Sequence, residues 1–284
     1  MIRSAAACRL CCRKSDMNNI SFPKLGLEFE IDPIALSYNF LGGGIHWYGI
    51  IIALGIVLAV LYCRAEAKRV GENPDLISDL VLYAIPVSII FARTYYVIFS
   101  WDDYKDDLKS IFYIWEGGIA IYGAVIGAVL TAWIFFRAKK RSVLKMFDIC
   151  CMGLLIGQAI GRWGNFVNCE AFGGPCSLPW GMSINGASPV HPTFLYESLW
   201  NAAGFVILHF LSRKKPFDGF VFFSYLTWYG AGRFFIEGMR TDSLYWGNIR
   251  VSQLVALLCV LGGIAFLSAG FTRKRKEKEK ISTK

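Results

Sequence analysis

Seven apolar stretches of about twenty residues divide this chain, and they constrain its fold more than any other feature. They run approximately over 46–64, 77–99, 117–136, 146–163, 193–212, 219–237 and 251–270. A helix needs about 20 apolar residues to cross a bilayer, and backbone polar groups in hydrocarbon must be satisfied within the segment. The sequence therefore predicts an all-α polytopic membrane protein with about seven transmembrane helices. Composition agrees, with 55% hydrophobic and 18% charged residues in 284 against about 25% charged in a soluble domain. Mean hydropathy is positive, at +0.44.

The net charge of +9 is informative through its placement. Arg64, Lys68 and Arg69 separate the first two spans. Arg137, Lys139, Lys140, Arg141 and Lys145 separate the third and fourth, and Arg213, Lys214 and Lys215 the fifth and sixth. The stretch from Arg273 to Lys284 holds seven Lys/Arg and two Glu. The loop after the second span is instead acidic, with Asp102, Asp103, Asp106 and Asp107. The positive-inside rule then places the C-terminus in the cytoplasm and the N-terminus outside. Beside a hydrophobic span, the basic tail reads as a topology signal or a contact for anionic lipid, not as a nucleic-acid site.

The expected organisation has five parts. Residues 1–16 are basic and Cys-rich without an apolar core, so they are not a signal peptide. Met17 is the expected true start, which makes 1–16 a non-native or upstream extension. Residues 17–45 form an extracytoplasmic arm, in which Phe29 to Pro33 reads as extended or partly interfacial. Residues 46–270 are the seven-span transmembrane domain, with a small extracytoplasmic lobe inserted at 164–192 that is expected to hold short strands or turns. Residues 271–284 are a cytoplasmic tail.

Of nine cysteines, Cys63, Cys150, Cys151 and Cys259 lie in apolar runs and read as small hydrophobes. Cys8, Cys11 and Cys12 lack a matching partner set for a metal, and no metal site is expected. Cys169 and Cys176 share a loop, and their pairing is open at this level.

Polar residues within the spans are costly, at roughly 2.5–3.5 kcal/mol for a lone charge at bilayer depth, and so tend to be paired and functional. The densest group is GRWGNFVNCEAFGG from Gly161 to Gly174, with Arg162, Asn165, Asn168 and Glu170 inside nine residues. Arg93, Glu116, Asp148, Glu197, Arg233 and Glu237 are further charges in or at the ends of spans. For Arg93 an ion pair within or between helices and a functional role are both open, and Arg233 and Glu237 share a helix face four residues apart. Gly153, Gly157 and Gly161 form a GxxxGxxxG face that reads as close helix packing. Arg162 and Arg233, both assigned to the outer leaflet, suit a phosphate through their planar forks of donors. His46 reads as a belt anchor, Tyr122 as a packing residue, and His191 with Pro192 as a turn before a helix.

Several motifs together resemble bacterial prolipoprotein diacylglyceryl transferases. They are His46-Trp47-Tyr48-Gly49, Glu116-Gly117-Gly118 with Tyr122-Gly123, Asp148, the run Gly161 to Glu170 followed by Gly173, His191-Pro192-Thr193 with Leu195-Tyr196-Glu197, and Tyr229-Gly230-Ala231 with Arg233, Glu237 and Arg240. They stand in order and cover roughly residues 17 to 260. The resemblance implies a seven-span enzyme of the bacterial plasma or inner membrane, with its site toward the extracytoplasmic side. Such enzymes transfer the sn-1,2-diacylglyceryl group of phosphatidylglycerol to the lipobox cysteine of a prolipoprotein signal peptide. A thioether and glycerol phosphate result, in the first step of lipoprotein maturation, without a cofactor.

By carry-over, Arg162, Arg233, Tyr122 and Glu170 are the expected catalytic residues. Tyr48, Asn165, Asn168, Gly173, Glu237, Arg240 and His46 are the expected substrate contacts. In one departure, Tyr122 stands where many members carry a histidine assigned as the base. A transporter or flippase for an anionic lipid is the competing reading, since it too needs intramembrane arginines. The polar groups gather at one leaflet and no internal repeat is evident, which favours the transferase.

Overall fold

The structure, a computed structural model, describes residues 17–38, 43–247 and 249–282. The expectations for Cys8, Cys11, Cys12 and the 1–16 extension fall outside these residues. Seven α-helices are present among them: α1 (Trp47–Arg69), α2 (Asp75–Phe99), α3 (Ile121–Ala138), α4 (Val143–Val167), α5 (Thr193–Ser212), α6 (Phe220–Met239) and α7 (Val251–Ser282). Short strands accompany them: β1 (Asn18–Phe22), β2 (Leu27–Ile31), β3 (Ile34–Tyr38), β4 (Gly43–His46), β5 (Ser183–Ile184), β6 (Tyr245–Trp246) and β7 (Ile249–Arg250). The protein is thus a mostly helical, multi-pass membrane protein.

Six of the helices are long and apolar enough to cross a membrane. The exception is α6, whose 20 residues include Arg233, Glu237 and several aromatic and hydroxyl side chains. Large apolar residues stand exposed along the spans, including Leu82, Ile90, Phe210 and Phe235, as expected where lipid is the solvent. Two boundaries differ from the hydropathy reading. The third span starts at Ile121, not 117, because Gly117 and Gly118 have φ of 93° and 75°, a left-handed conformation that ends any helix extended backwards. The last helix continues through the basic tail to Ser282, where Arg273–Glu277 and Arg275–Glu279 pair at i,i+4.

The chain forms two compact units. The first comprises the described residues up to Val57, with Leu155–His209 and Phe223–Ala269. Its sheet has the order β2-β1-β5, all antiparallel, with Ile20 opposite both Phe29 and Ile184. Alternation along β1 turns Ile20 and Phe22 inward, where they pack with Met182 and Phe194 and against Phe166 and Phe172. The expected extended arm and lobe strands therefore join in one small sheet. A hairpin of β3 and β4 leads into α1, with Trp47 N–H bonded to Pro33 O at 3.0 Å. In this unit Gly55 of α1 faces Gly157 of α4, where an added Cβ would lie 3.6 Å from the Gly157 Cα. The glycine face is a packing face, as expected.

The second unit comprises Leu58–Leu154, Phe210–Phe222 and the residues from Gly270. Its core holds Cys63, Ala67, Ile77, Leu80, Phe136, Met146 and Ile149. Gly123 and Gly127 let α3 lie close on α2; a Cβ at Gly127 would meet the Phe91 Cβ at 2.9 Å. Asp148 is buried and caps the N-terminus of α6 from another helix. It accepts from Gly219 N–H and Phe222 N–H, both at 2.9 Å, and from Lys215 Nζ at 3.0 Å. A carboxylate there satisfies orphan donors and complements the helix dipole. Burial would lower the Lys215 ammonium, but Asp218 and Asp148 hold its pKa above the ordinary value.

Arg93 is buried, and among the described residues its guanidinium bonds four backbone carbonyls. Nε donates to Ile111 O, Nη2 to Ser110 O, and Nη1 to Gly117 O and Gly118 O, at 2.7–2.8 Å. It also lies 5.0 Å from the Tyr104 ring centroid. These bonds clamp both ends of the 110–118 loop, whose turns leave carbonyls without helical partners.

Candidate functional site

The site begins at the C-terminus of α4. Glu170 N–H bonds to Asn165 O at 3.0 Å and Cys169 N–H to Phe166 O at 3.1 Å, the paired bonds of a Schellman ending. The left-handed position of that motif usually takes glycine, but here Cys169 occupies it with φ of 51°. The turn folds the chain back on the helix, so the Asn165 side chain donates to Glu170 Oε1 at 2.8 Å. Cys176 in the following loop is a buried free thiol, so the possible Cys169–Cys176 disulfide is not formed.

Arg162, one turn before this ending, extends toward α5 and α6. Its Nη2 meets Glu197 Oε1 at 2.6 Å and its Nη1 meets Asn165 Oδ1 at 3.1 Å. The second oxygen of Glu197 takes Arg233 Nη1 at 3.0 Å. Arg233 Nη2 also lies 2.6 Å from Glu237 Oε2 on its own helix. One carboxylate thus bridges two guanidiniums from different helices, and a continuous polar chain runs Glu237–Arg233–Glu197–Arg162–Asn165–Glu170. Glu197 and Glu237 are the deeper members. The Glu197 and Glu237 side chains are 4% and 2% exposed, whereas those of Arg162 and Arg233 are 20% and 17% exposed. Each guanidinium has five N–H donors, and the described residues engage only part of each fork. The arrangement is two cations aligned from behind by a buried acid, with accessible donors in front.

Tyr48 in the first turn of α1 lies against Gly164. A Cβ at that glycine would come within 2.6 Å of the Tyr48 ring, so the bare backbone admits the ring beside the Arg162 turn.

Not every residue expected at the site joins this chain. Gly173 forms a bridge with Arg240 and donates its N–H to His191 O at 2.9 Å. A Cβ there would lie 2.7 Å from the His191 Cβ and 3.0 Å from Met239 O, so this position needs glycine for close backbone packing. The Arg240 fork is taken by Asp242, with Nε–Oδ1 at 2.9 Å and Nη2–Oδ2 at 2.7 Å. Burial alone would raise the Asp242 pKa, but the Arg240 donors hold the carboxyl below its usual value. His46 is exposed at the end of β4, opposite Ile34. Asn168 closes the α4 ending through its backbone N–H on Gly164 O at 3.0 Å. Tyr122 belongs to the second unit, in the first turn of α3, with its ring centroid 6.5 Å from that of Tyr95.

The residue missed as a site candidate is Glu197. The signal was present, since it is an acid in an apolar helix at the same leaflet as both arginines. Spacing along one helix pairs Arg233 only with Glu237, and the bridge across three helices follows from packing.

The model of the prolipoprotein diacylglyceryl transferase family matches residues 33–269. Curated relatives named phosphatidylglycerol–prolipoprotein diacylglyceryl transferase include one from Listeria innocua, 49% identical over 249 residues, covering 84% of this chain and 89% of the relative. Another, from Halalkalibacterium halodurans, is 47% identical over 252 residues, covering 84% and 87%. A third, from Clostridioides difficile, is 44% identical over 247 residues, covering 87% and 98%. With its buried acid aligning two arginines near the end of an apolar helix, this membrane-spanning chain belongs to the prolipoprotein diacylglyceryl transferase family of enzymes.

Proposed function

We propose that this protein transfers the diacylglyceryl group of phosphatidylglycerol to the lipobox cysteine thiol of a prolipoprotein signal peptide. The observation that carries the reading is the pair of guanidiniums on Glu197, with Arg162 Nη2 at 2.6 Å and Arg233 Nη1 at 3.0 Å. The thiol sulfur attacks the glyceryl carbon that bears the phosphate ester. The S–C bond forms, the C–O bond breaks, and glycerol phosphate departs with the electron pair. Donors already aligned on the leaving phosphate stabilise charge as it develops, with no reorganisation at the moment of reaction. Glu197 keeps the two forks aligned, and Asn165 with Tyr48 flanks the lipid headgroup.

A free thiol, with a pKa of about 8.5, is mostly protonated at neutral pH. We assign its proton first to Glu170, whose Oε1 is oriented by Asn165 and whose side chain reaches solvent. Tyr122 is the second candidate. Glu170→Gln is expected to lower turnover at least about a hundredfold, the low end of general-base contributions. Tyr122→Phe is expected to leave turnover within about threefold; the reverse outcome moves the base to Tyr122.

The Lys/Arg loops put the C-terminus in the cytoplasm and the N-terminus outside, which assigns the end of α4 to the extracytoplasmic leaflet of a bacterial cell membrane. The test is reconstitution in phosphatidylglycerol vesicles with a lipobox peptide. The peptide gains the mass of one diacylglyceryl group if the reading holds. Movement of lipid between leaflets without covalent change refutes it and favours a flippase.

A further inference from the structure

Trp200 of α5 and Trp228 of α6 stack with ring centroids 4.4 Å apart and planes 20° apart. Their hydrogen bonds are reciprocal. Trp200 Nε1 donates to Trp228 O at 2.9 Å, and Trp228 Nε1 donates to Trp200 O at 3.0 Å. An indole can reach a mid-helix carbonyl only if the side chain one turn on is out of the way, because a Cβ four residues ahead points back over that carbonyl. Both helices carry glycine there, reading Trp200-x-x-x-Gly204 and Trp228-x-x-x-Gly232. A Cβ on Gly204 would overlap Trp228 Nε1, and a Cβ on Gly232 would overlap Trp200 Nε1.

This clasp is adjacent to the arginine bridge. Trp200 follows Glu197 by three residues on α5, and Gly232 immediately precedes Arg233 on α6. The Glu197–Arg233 contact does not fix the register of the two helices alone, because Arg233 has a second acid, Glu237, on its own helix at 2.6 Å. A slide of α5 by a single 1.5 Å residue rise would strain the 3.0 Å contact, while Arg233 would keep its ion pair with Glu237 on its own helix. The paired indoles permit one register only, since each N–H meets its carbonyl in the notch left by one glycine.

We propose that Trp200 and Trp228 are positioning residues, which hold α5 and α6 in the register that lets Glu197 align Arg233 beside Arg162. The proposal rests on the transferase reading above. Its test replaces both indoles by β-(3-benzothienyl)alanine, which keeps the bicyclic ring and removes only the N–H, and in parallel makes Trp200→Phe/Trp228→Phe. Each is measured in the wild-type and the Glu197→Gln backgrounds, in vesicles with a lipobox peptide. Neighbouring groups that act through one interaction give non-additive effects. Loss of the clasp is expected to lower kcat about tenfold in the wild-type background and less than about twofold in Glu197→Gln, with the KM for peptide unchanged. Equal losses in both backgrounds, as general destabilisation gives, or full activity without the two N–H donors, overturn the proposal. A wild-type protein that transfers nothing refutes the transferase reading instead. The same cycle read as affinity for a fluorescent phosphatidylglycerol then decides the clasp.

Discussion

Replacing Glu197 by Gln separates two contributions of one buried carboxylate. The wild-type oxygens each hold a different guanidinium, at 2.6 Å and 3.0 Å. A glutamine carbonyl can hold one of them, and its NH2 then faces the other. A hydrogen bond to a charged group contributes about 1.5–3 kcal/mol, so losing one aligned contact corresponds to about a 10- to 150-fold fall in kcat. The charge acts in the opposite sense on ground-state binding. A carboxylate behind a guanidinium lies roughly 6 Å from a phosphate in front of it. At an effective dielectric of about 20 the two anions then repel by about 2.8 kcal/mol, an upper bound because water reaches the front of the site. Glu197→Gln is therefore expected to tighten phosphatidylglycerol binding while slowing turnover, so that KM for lipid and kcat fall together. Steady-state kinetics in mixed micelles at saturating peptide measure both. A raised KM with unchanged kcat would refute the reasoning, because it would make Glu197 a simple contributor to lipid binding.

Other perturbations test the frame around the site. Arg93→Met leaves four loop carbonyls without their donor and should destabilise the protein by at least about 3 kcal/mol, read as a lower midpoint of thermal unfolding in detergent; an unchanged midpoint would show that the clamp on the 110–118 loop contributes nothing. Gly173→Ala places a methyl 2.7 Å from the His191 Cβ and should cost about 1–3 kcal/mol by overpacking, again read as a lower midpoint. Asp242 has a lowered pKa, so its pairing with Arg240 adds stability above the ordinary aspartate value of about 3.9. That stability is lost as pH falls through the lower folded value. Asp242→Asn should therefore melt below wild type at pH 7 and converge with it in strong acid, with a small difference because the pair is half solvated. A difference that persists unchanged into strong acid would assign the effect to packing.

Features that depend on the local period of the chain were legible in the sequence. Seven apolar runs became seven helices, six of them long and apolar enough to cross a membrane, where a segment must satisfy its own backbone. The glycine face at Gly157, the extended Phe29 region and the strands in the 164–192 insertion followed from composition and spacing. The sequence also exposed the charges of the site, since Arg162 and Arg233 are conspicuous among hydrocarbon. It did not show what each charge would meet. Arg93 bonds carbonyls freed by two left-handed glycines, and such partners in turns carry no periodic signal. Gly173 and Arg240 were placed with the substrate contacts by motif alone, and close packing and a loop ion pair account for their observed contacts. Glu197 was visible as an acid, but its bridging role depends on the register of α5 against α6, which no one-helix pattern encodes. The paired indoles were equally hidden, because each Trp-x-x-x-Gly acquires meaning only beside the other.

The most direct measurement of the central claim is a high-resolution structure of the protein with phosphatidylglycerol bound. The account predicts one phosphate that accepts from both Arg162 and Arg233, at the 2.7–2.9 Å of charge-assisted hydrogen bonds, with Glu197 still behind both guanidiniums. A phosphate held elsewhere, with the Arg162–Glu197–Arg233 bridge closed and untouched by lipid, would contradict it.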